Sequence, residues 1–221
     1  MISFLFIIIL YNYIIMNPEI IWFKNCSYEN KHLVGGKCSS LGELHQIAKK
    51  IGFSIGDGFA LTIDMYDSFI EYNHLTSQIE TDLSNINVVN IKELEEKSKN
   101  LRTLIENGEF SEHHKTIITE YYNKLSQIYT VENLDVAVRS SALAEDLPNA
   151  SFAGQHDTFL NVSGKDHLLQ SIKECFASLF NSRAVSYRKT HNIALSDVKI
   201  SVAIQKMIRS DKASAGVIFT L

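Results

Sequence analysis

The sequence predicts a mixed fold of helices and strands, α/β in the broad sense that includes α+β, on three observations. Two long segments carry apolar residues at helical spacing: Ile91, Leu94, Leu101, Leu104 and Ile105 in "NIKELEEKSKNLRTLIEN", and Ile117, Ile118, Tyr121, Tyr122, Leu125 and Ile128 in "HHKTIITEYYNKLSQI". Other segments alternate with the period of a strand, as in "DVAVRSS", "DTFLNV" and "VKISVAIQKM". With 45% hydrophobic residues in 221, the chain has the material for a sizeable core.

Taken in order, residues 1–15 of "MISFLFIIILYNYIIM" form an apolar, uncharged leader. It is shorter than the roughly 20 apolar residues of a membrane span, and it has neither the basic start nor the small-residue cleavage site of a signal peptide. The leader reads as an upstream start, with a membrane anchor as the alternative, and the domain proper as residues 16–221. From Cys26 to Thr62 the expectation is loop, helix, loop, strand. Gly35 and Gly36 open a turn, Lys37 follows, and Leu41, Leu44 and Ile47 recur at helical spacing. Ser40 with Glu43 makes a capping box, which places the helix start at Ser40 and the Gly-Gly-Lys turn just before it. Backbone N–H groups and the positive dipole end there favour an anion.

Residues 63–130 read as helices, with Asn90 as an N-cap. His113 and His114 are adjacent, so one at most is expected to share a face with a given partner, and a solvated face is the plainer reading. After Leu134 the pattern turns to strands. Val136 and Val138 face one way, Pro148, Asn149, Ser151 and Gly154 make a small-residue loop, and "DHLLQSIKECFASLF" is an amphipathic helix. Val198, Ile200, Val202 and Ile204 then face one side of a strand, with Lys199, Ser201, Ala203 and Gln205 on the other. "AGVIFTL" is a last extended run, and a strand left without a complete neighbour predicts a domain that continues past Leu221.

A formal net charge of −4 gives no general reason to bind nucleic acid or an anionic membrane, so an anion must be held by a local set of donors. Three cysteines without a C-x-x-C pair fit reduced structural thiols and a cytoplasmic location. The donors that stand out are Lys37 and Arg139. Arg139 at a strand end offers a planar fork and Lys37 a compact charge, and a loop of small residues around Gly154 can lay its N–H groups against phosphate oxygens. The same residues have a purely structural reading, in which Lys37 is a surface lysine, Arg139 pairs with Glu145 or Asp146, and Gly154 makes a turn. Neither a P-loop nor a G-x-G-x-x-G fingerprint is present.

Four blocks bear on that choice: "LVGGKCSSLGEL", "AVRSSALAEDLPNASFAGQHDTFLNV", "CFASLFNSRAVSYR" and "VAIQKMIRSDKASAGVIFTL". In order and spacing, from about Ile21 to Leu221, they resemble the N-terminal nucleotide-binding domain of the phosphoenolpyruvate synthases, the pyruvate, water dikinases. The wider dikinase family includes pyruvate phosphate dikinase and rifampicin phosphotransferase, and "QKMIRSDKASAGVIFTL" is more similar to the synthases. The resemblance implies an ATP-grasp-like fold with ATP between two subdomains and Mg²⁺ on its phosphates. The reaction it implies passes the β-phosphoryl group of ATP through a histidine to pyruvate, leaving AMP and phosphate. By motif position it implies Lys37 and Arg139 as phosphate-contacting cations, Gly154 and Thr158 as the phosphate-covering loop and its hydroxyl, and Gln205 as a nucleotide contact. Lys206 and Met207 would offer backbone groups to adenine. It further implies a cytoplasmic, gluconeogenic full-length enzyme that can assemble as a homodimer, with no nucleic-acid partner.

The chain departs from the family pattern at Gly56, where a proline is usual, at Leu143, where a threonine is usual, and at Cys38. His156 lies in the phosphate loop where the family has glutamine or glutamate, and is not the phosphocarrier. The family's metal-binding acidic segment, catalytic-histidine domain and pyruvate-binding barrel have no counterpart here, so no catalytic residue is assigned, the metal ligands are unknown, and the chain is expected to be inactive alone. A non-catalytic nucleotide-binding remnant is the alternative from another class.

Overall fold

The computed structural model of the chain describes residues 18–142, 146–147, 150–151, 157–191, 193, 199–212 and 214–216. The leader, Gly154, His156, Leu143, Glu145 and Val198 lie outside them. Chain order is β1 (Ile20–Trp22), α1 (Lys31–Ile51), β2 (Gly58–Leu61), α2 (Ile63–Tyr72), α3 (Thr76–Ser84), α4 (Ile91–Glu106) and α5 (Glu112–Ile128). There follow β3 (Val136–Ala142), β4 (Asp146–Leu147), β5 (Ala150–Ser151), β6 (Thr158–Val162), α6 (Lys165–Ala177), α7 (Ser182–Thr190) and β7 (Ile200–Lys206).

Five strands form one sheet in the order β1-β2-β7-β3-β6, and every pairing in it is antiparallel. The mixed expectation therefore holds in its α+β form. Strands β4 and β5 pair separately. Because successive side chains alternate between faces, the sheet has two distinct sides. Val136 and Val138 of β3, Ile200, Val202 and Ile204 of β7, and Phe59 and Leu61 of β2 belong to the main core, with Phe69, Leu101, Ile118, Tyr122, Ile172 and Phe176 from α2, α4, α5 and α6. The opposite side is lined by small residues, Ala60 and Ala203, on which Val34 and Cys38 of α1 pack together with Ile21, Phe23 and Cys26. Ser201 and Ala203 are buried beneath that layer, so β7 is buried on both faces along most of its length. The three cysteines are buried and free, and burial raises the Cys26 thiol well above its usual range, as the structural reading expects.

The helical stripes of the sequence are largely the buried ones, with ends that differ. Leu94, Leu101 and Ile105 are buried in α4, while Ile91 at its first turn is 68% exposed. In α1 the expected apolar stripe is only half right, since Leu44 and Ile47 are 45% and 47% exposed. The helix turns Val34 and Cys38 to the sheet instead, and also buries Gly42 and Ala48. At Gly42 an added Cβ would fall 2.0 Å from the Cys26 carbonyl oxygen, so only glycine lets the helix lie this close. Asn90 caps α4 as expected, accepting from the Glu93 N–H, and Ser111 caps α5 through the His114 N–H.

The two adjacent histidines correct their expectation. Both reach one carboxylate: His113 Nε2 lies 3.0 Å from Glu19 Oε2 and His114 Nε2 3.1 Å from Glu19 Oε1. His114 is buried, not on a solvated face. One residue of the chain just before β1 satisfies neighbours on α5 because its two oxygens diverge, an arrangement helix periodicity alone does not foresee.

Candidate functional site

The Gly-Gly-Lys turn is where the structure departs most usefully from the local signals. Helix α1 is two helical pieces joined at Gly35, whose backbone (φ 71°, ψ 173°) is of a kind adopted almost solely by glycine. The longer piece follows directly, so Lys37 lies in its first turn and Ser40 lies inside the helix, not at its cap. The cap comes from β3. Ser141 Oγ accepts the Cys38 N–H at 3.2 Å and donates to the Val34 carbonyl at 2.8 Å, clamping both sides of the break. Glu43, the other half of the expected capping box, accepts the Tyr28 N–H. A hydroxyl about a hundred residues away in sequence thus replaces the local one, because the turn is pressed against the strand. A Cβ on Gly35 would stand 2.0 Å from the Ser141 carbonyl oxygen.

This contact brings the two predicted cations to one place. The Lys37 ammonium donates to the carbonyl of Ser140 at 3.1 Å, the residue after Arg139. Arg139 sits mid-strand in β3 and is exposed, with the three residues on each side of it buried. Among the described residues its side chain makes no ion pair or hydrogen bond; Glu145 and the Asp146 side chain lie outside them.

Strand register supplies the neighbours. Arg139 pairs with Thr158 on β6 and with Ala203 on β7, and directly opposed residues share a face, so Thr158 and Arg139 point to the same side. Thr158 is exposed there. Gln205 is opposite Ala137 and opposite Gly58, two residues along β7 from Ala203, and therefore lies on that face also. Its side-chain amide donates to the Gly56 carbonyl at 3.2 Å, which fixes its orientation. Four of the five predicted site residues, Lys37, Arg139, Thr158 and Gln205, thus share the α1 side of the sheet. Gly154 lies outside the described residues.

Lys206 and Met207, expected on the adenine side, are held within the fold. The Lys206 N–H donates to the Asp57 carbonyl and the Met207 N–H to the Asp135 carbonyl, both at 2.9 Å. Those two donors are therefore engaged internally. The Lys206 ammonium stands 4.0 Å from the centre of the Tyr129 ring, a cation–π contact. Tyr129 in turn donates to Asp57 Oδ2 at 2.8 Å and accepts the Asp57 N–H at 3.2 Å, and His45 Nδ1 is 3.8 Å from Asp57 Oδ1. Asp57 and Ser141 are the residues that sequence reasoning missed. Ser141 had a signal, since it follows Arg139 by two on a strand and so shares its face. Asp57 had none, because its partners come from α1, the segment after α5 and β7.

The arrangement can bind an oxyanion: a guanidinium and an ammonium stand beside the first turn of a helix, on a face of small side chains that permits close approach. Among the described residues no group of three or more His, Cys, Asp or Glu converges to hold a metal ion. None of the described helices is long and apolar enough to cross a membrane.

Comparison with known proteins agrees with this reading. The chain is 43% identical over 202 residues to the phosphoenolpyruvate synthase of Aquifex aeolicus, covering 91% of the chain and 24% of that protein. It is 45% identical over 200 residues to that of Helicobacter pylori, covering 90% and 25%. To that of Escherichia coli it is 38% identical over 205 residues, covering 93% and 26%. The chain spans about a quarter of the length of these curated relatives. Residues 31–221 match the profile of the family described as pyruvate phosphate dikinase, AMP/ATP-binding domain. The match takes in Lys37, Arg139, Thr158 and Gln205 together, and the chain belongs to that family of nucleotide-binding domains.

Proposed function

We propose that the α1 side of the sheet holds ATP in the ATP-grasp manner, with Lys37 and Arg139 on the phosphates, Gly154 and the Thr158 hydroxyl covering them, and Gln205 toward the nucleoside. In the longer protein this is the nucleotide-binding part of a phosphoenolpyruvate synthase, which forms phosphoenolpyruvate, AMP and phosphate from ATP, pyruvate and water through a phosphohistidine. The acceptor steps belong to parts beyond the matched quarter, so the chain alone binds nucleotide without turnover. The synthase name of the relatives favours this substrate over rifampicin. Residues 16–221 form the domain and residues 1–15 stand outside it, and the full-length enzyme is cytoplasmic and homodimeric.

The observation that carries the reading is Arg139. An exposed arginine mid-strand, flanked on both sides by buried residues and beside a second cation, is poorly explained by stability. Polyphosphate explains it, because a dense anion repays two adjacent cations. The family's Mg²⁺ would sit on the phosphates. Since the described residues offer it no carboxylate cluster, its protein ligands are not assigned and no step is drawn through it.

The test is ATP binding by calorimetry, with thermal unfolding in the absence of nucleotide. Arg139→Ala should lose a charge-assisted contact of about 1.5–3 kcal/mol, one to two decades in affinity, without a comparable loss of stability. Arg139→Lys should recover part of it, keeping the charge but not the fork. An Arg139→Ala protein that unfolds earlier yet binds ATP normally refutes the assignment.

A further inference from the structure

On the other side of the sheet, among the helices, Arg188 of α7 is 5% exposed, and both its terminal nitrogens are sealed from water without a hydrogen-bond partner. Among the described residues it forms no ion pair. Burial pulls the guanidinium down to about 10, with the phenol of Tyr66 opposing that, so it is still charged at neutral pH. Removing one partner of a buried ion pair is strongly destabilising because a charge is left uncompensated, and among the described residues Arg188 stands in that condition. Beside it, α3 and α7 border a partly open cavity of about 260 Å³ lined by Glu80, Leu83, Ser84, Val185, Arg188, Lys189 and Ile193.

The lining specifies an occupant. Leu83 and Val185 are buried core residues, and with Ile193 they give the cavity an apolar wall for a short hydrocarbon body. Arg188 offers a planar donor fork of the shape a carboxylate accepts. Glu80, exposed at the rim, repels a second negative charge, which disfavours phosphate and dicarboxylates. The Lys189 ammonium is turned to the Ser84 carbonyl at 3.4 Å. A cavity just below the usual ligand-pocket range of roughly 300–1,000 Å³ suits a molecule of few heavy atoms.

We propose that the cavity between α3 and α7 binds a small organic monocarboxylate, its carboxylate on Arg188 and its apolar body against Leu83, Val185 and Ile193. Because the guanidinium nitrogens are sealed from water, the Arg188 side chain must turn toward the cavity to meet the carboxylate, which then supplies a partner that no described residue provides. The site lies across the sheet from Arg139, and it stands or falls independently of nucleotide binding.

The 221-residue chain is titrated with propionate, isovalerate and hexanoate, with isovaleramide as the uncharged match of isovalerate and inorganic phosphate as the rival anion. At least one monocarboxylate should bind saturably and raise the unfolding temperature, while isovaleramide and phosphate do neither. Arg188→Met should unfold no earlier than the parent without ligand, since it replaces an unpaired buried charge by an apolar stem, and should lose the carboxylate response. Ser84→Trp at the exposed rim should fold normally and weaken binding at least tenfold. Glu80→Gln should leave binding intact or tighten it. The proposal is overturned by equal responses to isovalerate and isovaleramide, by preference for phosphate, or by no response to any of the three carboxylates. An Arg188→Met protein that unfolds early, with Ser84→Trp still binding normally, overturns it too, since the guanidinium would then serve the fold from within.

Discussion

Gly35→Ala is the substitution from which the structure predicts most. Gly35 has φ 71° and ψ 173°, a region whose occupation by a residue with a Cβ costs about 1–3 kcal/mol in strain. The new Cβ would also stand 2.0 Å from the Ser141 carbonyl oxygen and 2.7 Å from its carbonyl carbon, both backbone atoms of a central strand. Relief requires the turn to lift from β3, which breaks the bonds from Ser141 Oγ to the Val34 carbonyl and from the Cys38 N–H to Ser141 Oγ. Each is worth about 0.5–1.5 kcal/mol net. Strain and lost bonds together predict a loss of about 2–6 kcal/mol, a large share of the roughly 5–15 kcal/mol that holds a domain folded. Gly52→Ala is the control. Gly52 also has positive φ (80°), but no atom lies within 4 Å of its would-be Cβ, so strain alone applies, at about 1–2 kcal/mol. Urea unfolding of both proteins gives the comparison, and ATP binding of any folded Gly35→Ala protein should fall as well, because Lys37 moves with the turn. Equal losses at the two positions would refute the claim that close approach to β3 builds this site.

Other expectations follow from single contacts. Tyr122 donates to the Leu134 carbonyl at 2.8 Å and accepts the Gly164 N–H at 2.9 Å, joining α5 to the segments before β3 and α6. Tyr122→Phe should therefore cost about 1–3 kcal/mol in urea unfolding. A loss within error would show that water replaces both bonds. Glu19 is held below its usual value of 4.5, chiefly by the hydrogen bond from His114 and against the opposing effect of burial. A carboxyl lowered on folding contributes stability that is present above its unfolded value and lost as pH falls through the folded one. Glu19→Gln should thus flatten the decline of stability below about pH 4.5. An unchanged acid limb in the variant would contradict the His114 contact. Lys37→Ala should weaken ATP binding in the same direction as Arg139→Ala, with the double variant showing non-additivity, since the two cations would face one polyphosphate. Strict additivity would separate them into unrelated sites.

The sequence by itself determined most of the helices and strands and singled out the residues proposed to carry the chemistry. The helices of residues 63–130 were legible because their apolar stripes match a period set by backbone geometry, and local caps such as Asn90 act within one turn. Arg139 and Lys37 were legible as cations beside a strand and a glycine turn, and the four quoted blocks tied them to one family. Only the tertiary structure decided how these parts meet. The start of α1 moved from Ser40 to the residue after Gly35, because Ser141 across the sheet satisfies the helix N–H and so displaces the local capping box. Leu44 and Ile47 face outward although their spacing is that of a core stripe, because the small residues of the sheet accept Val34 and Cys38 instead. Glu19 gathers His113 and His114 from about a hundred residues away, and antiparallel register puts Thr158 beside Arg139 and Gln205 on the same face. Local signals report the energies of one turn or one strand. Which face is buried, and which donor caps which helix, depends on contacts between segments far apart in the chain, whose energy exists only once the sheet is formed.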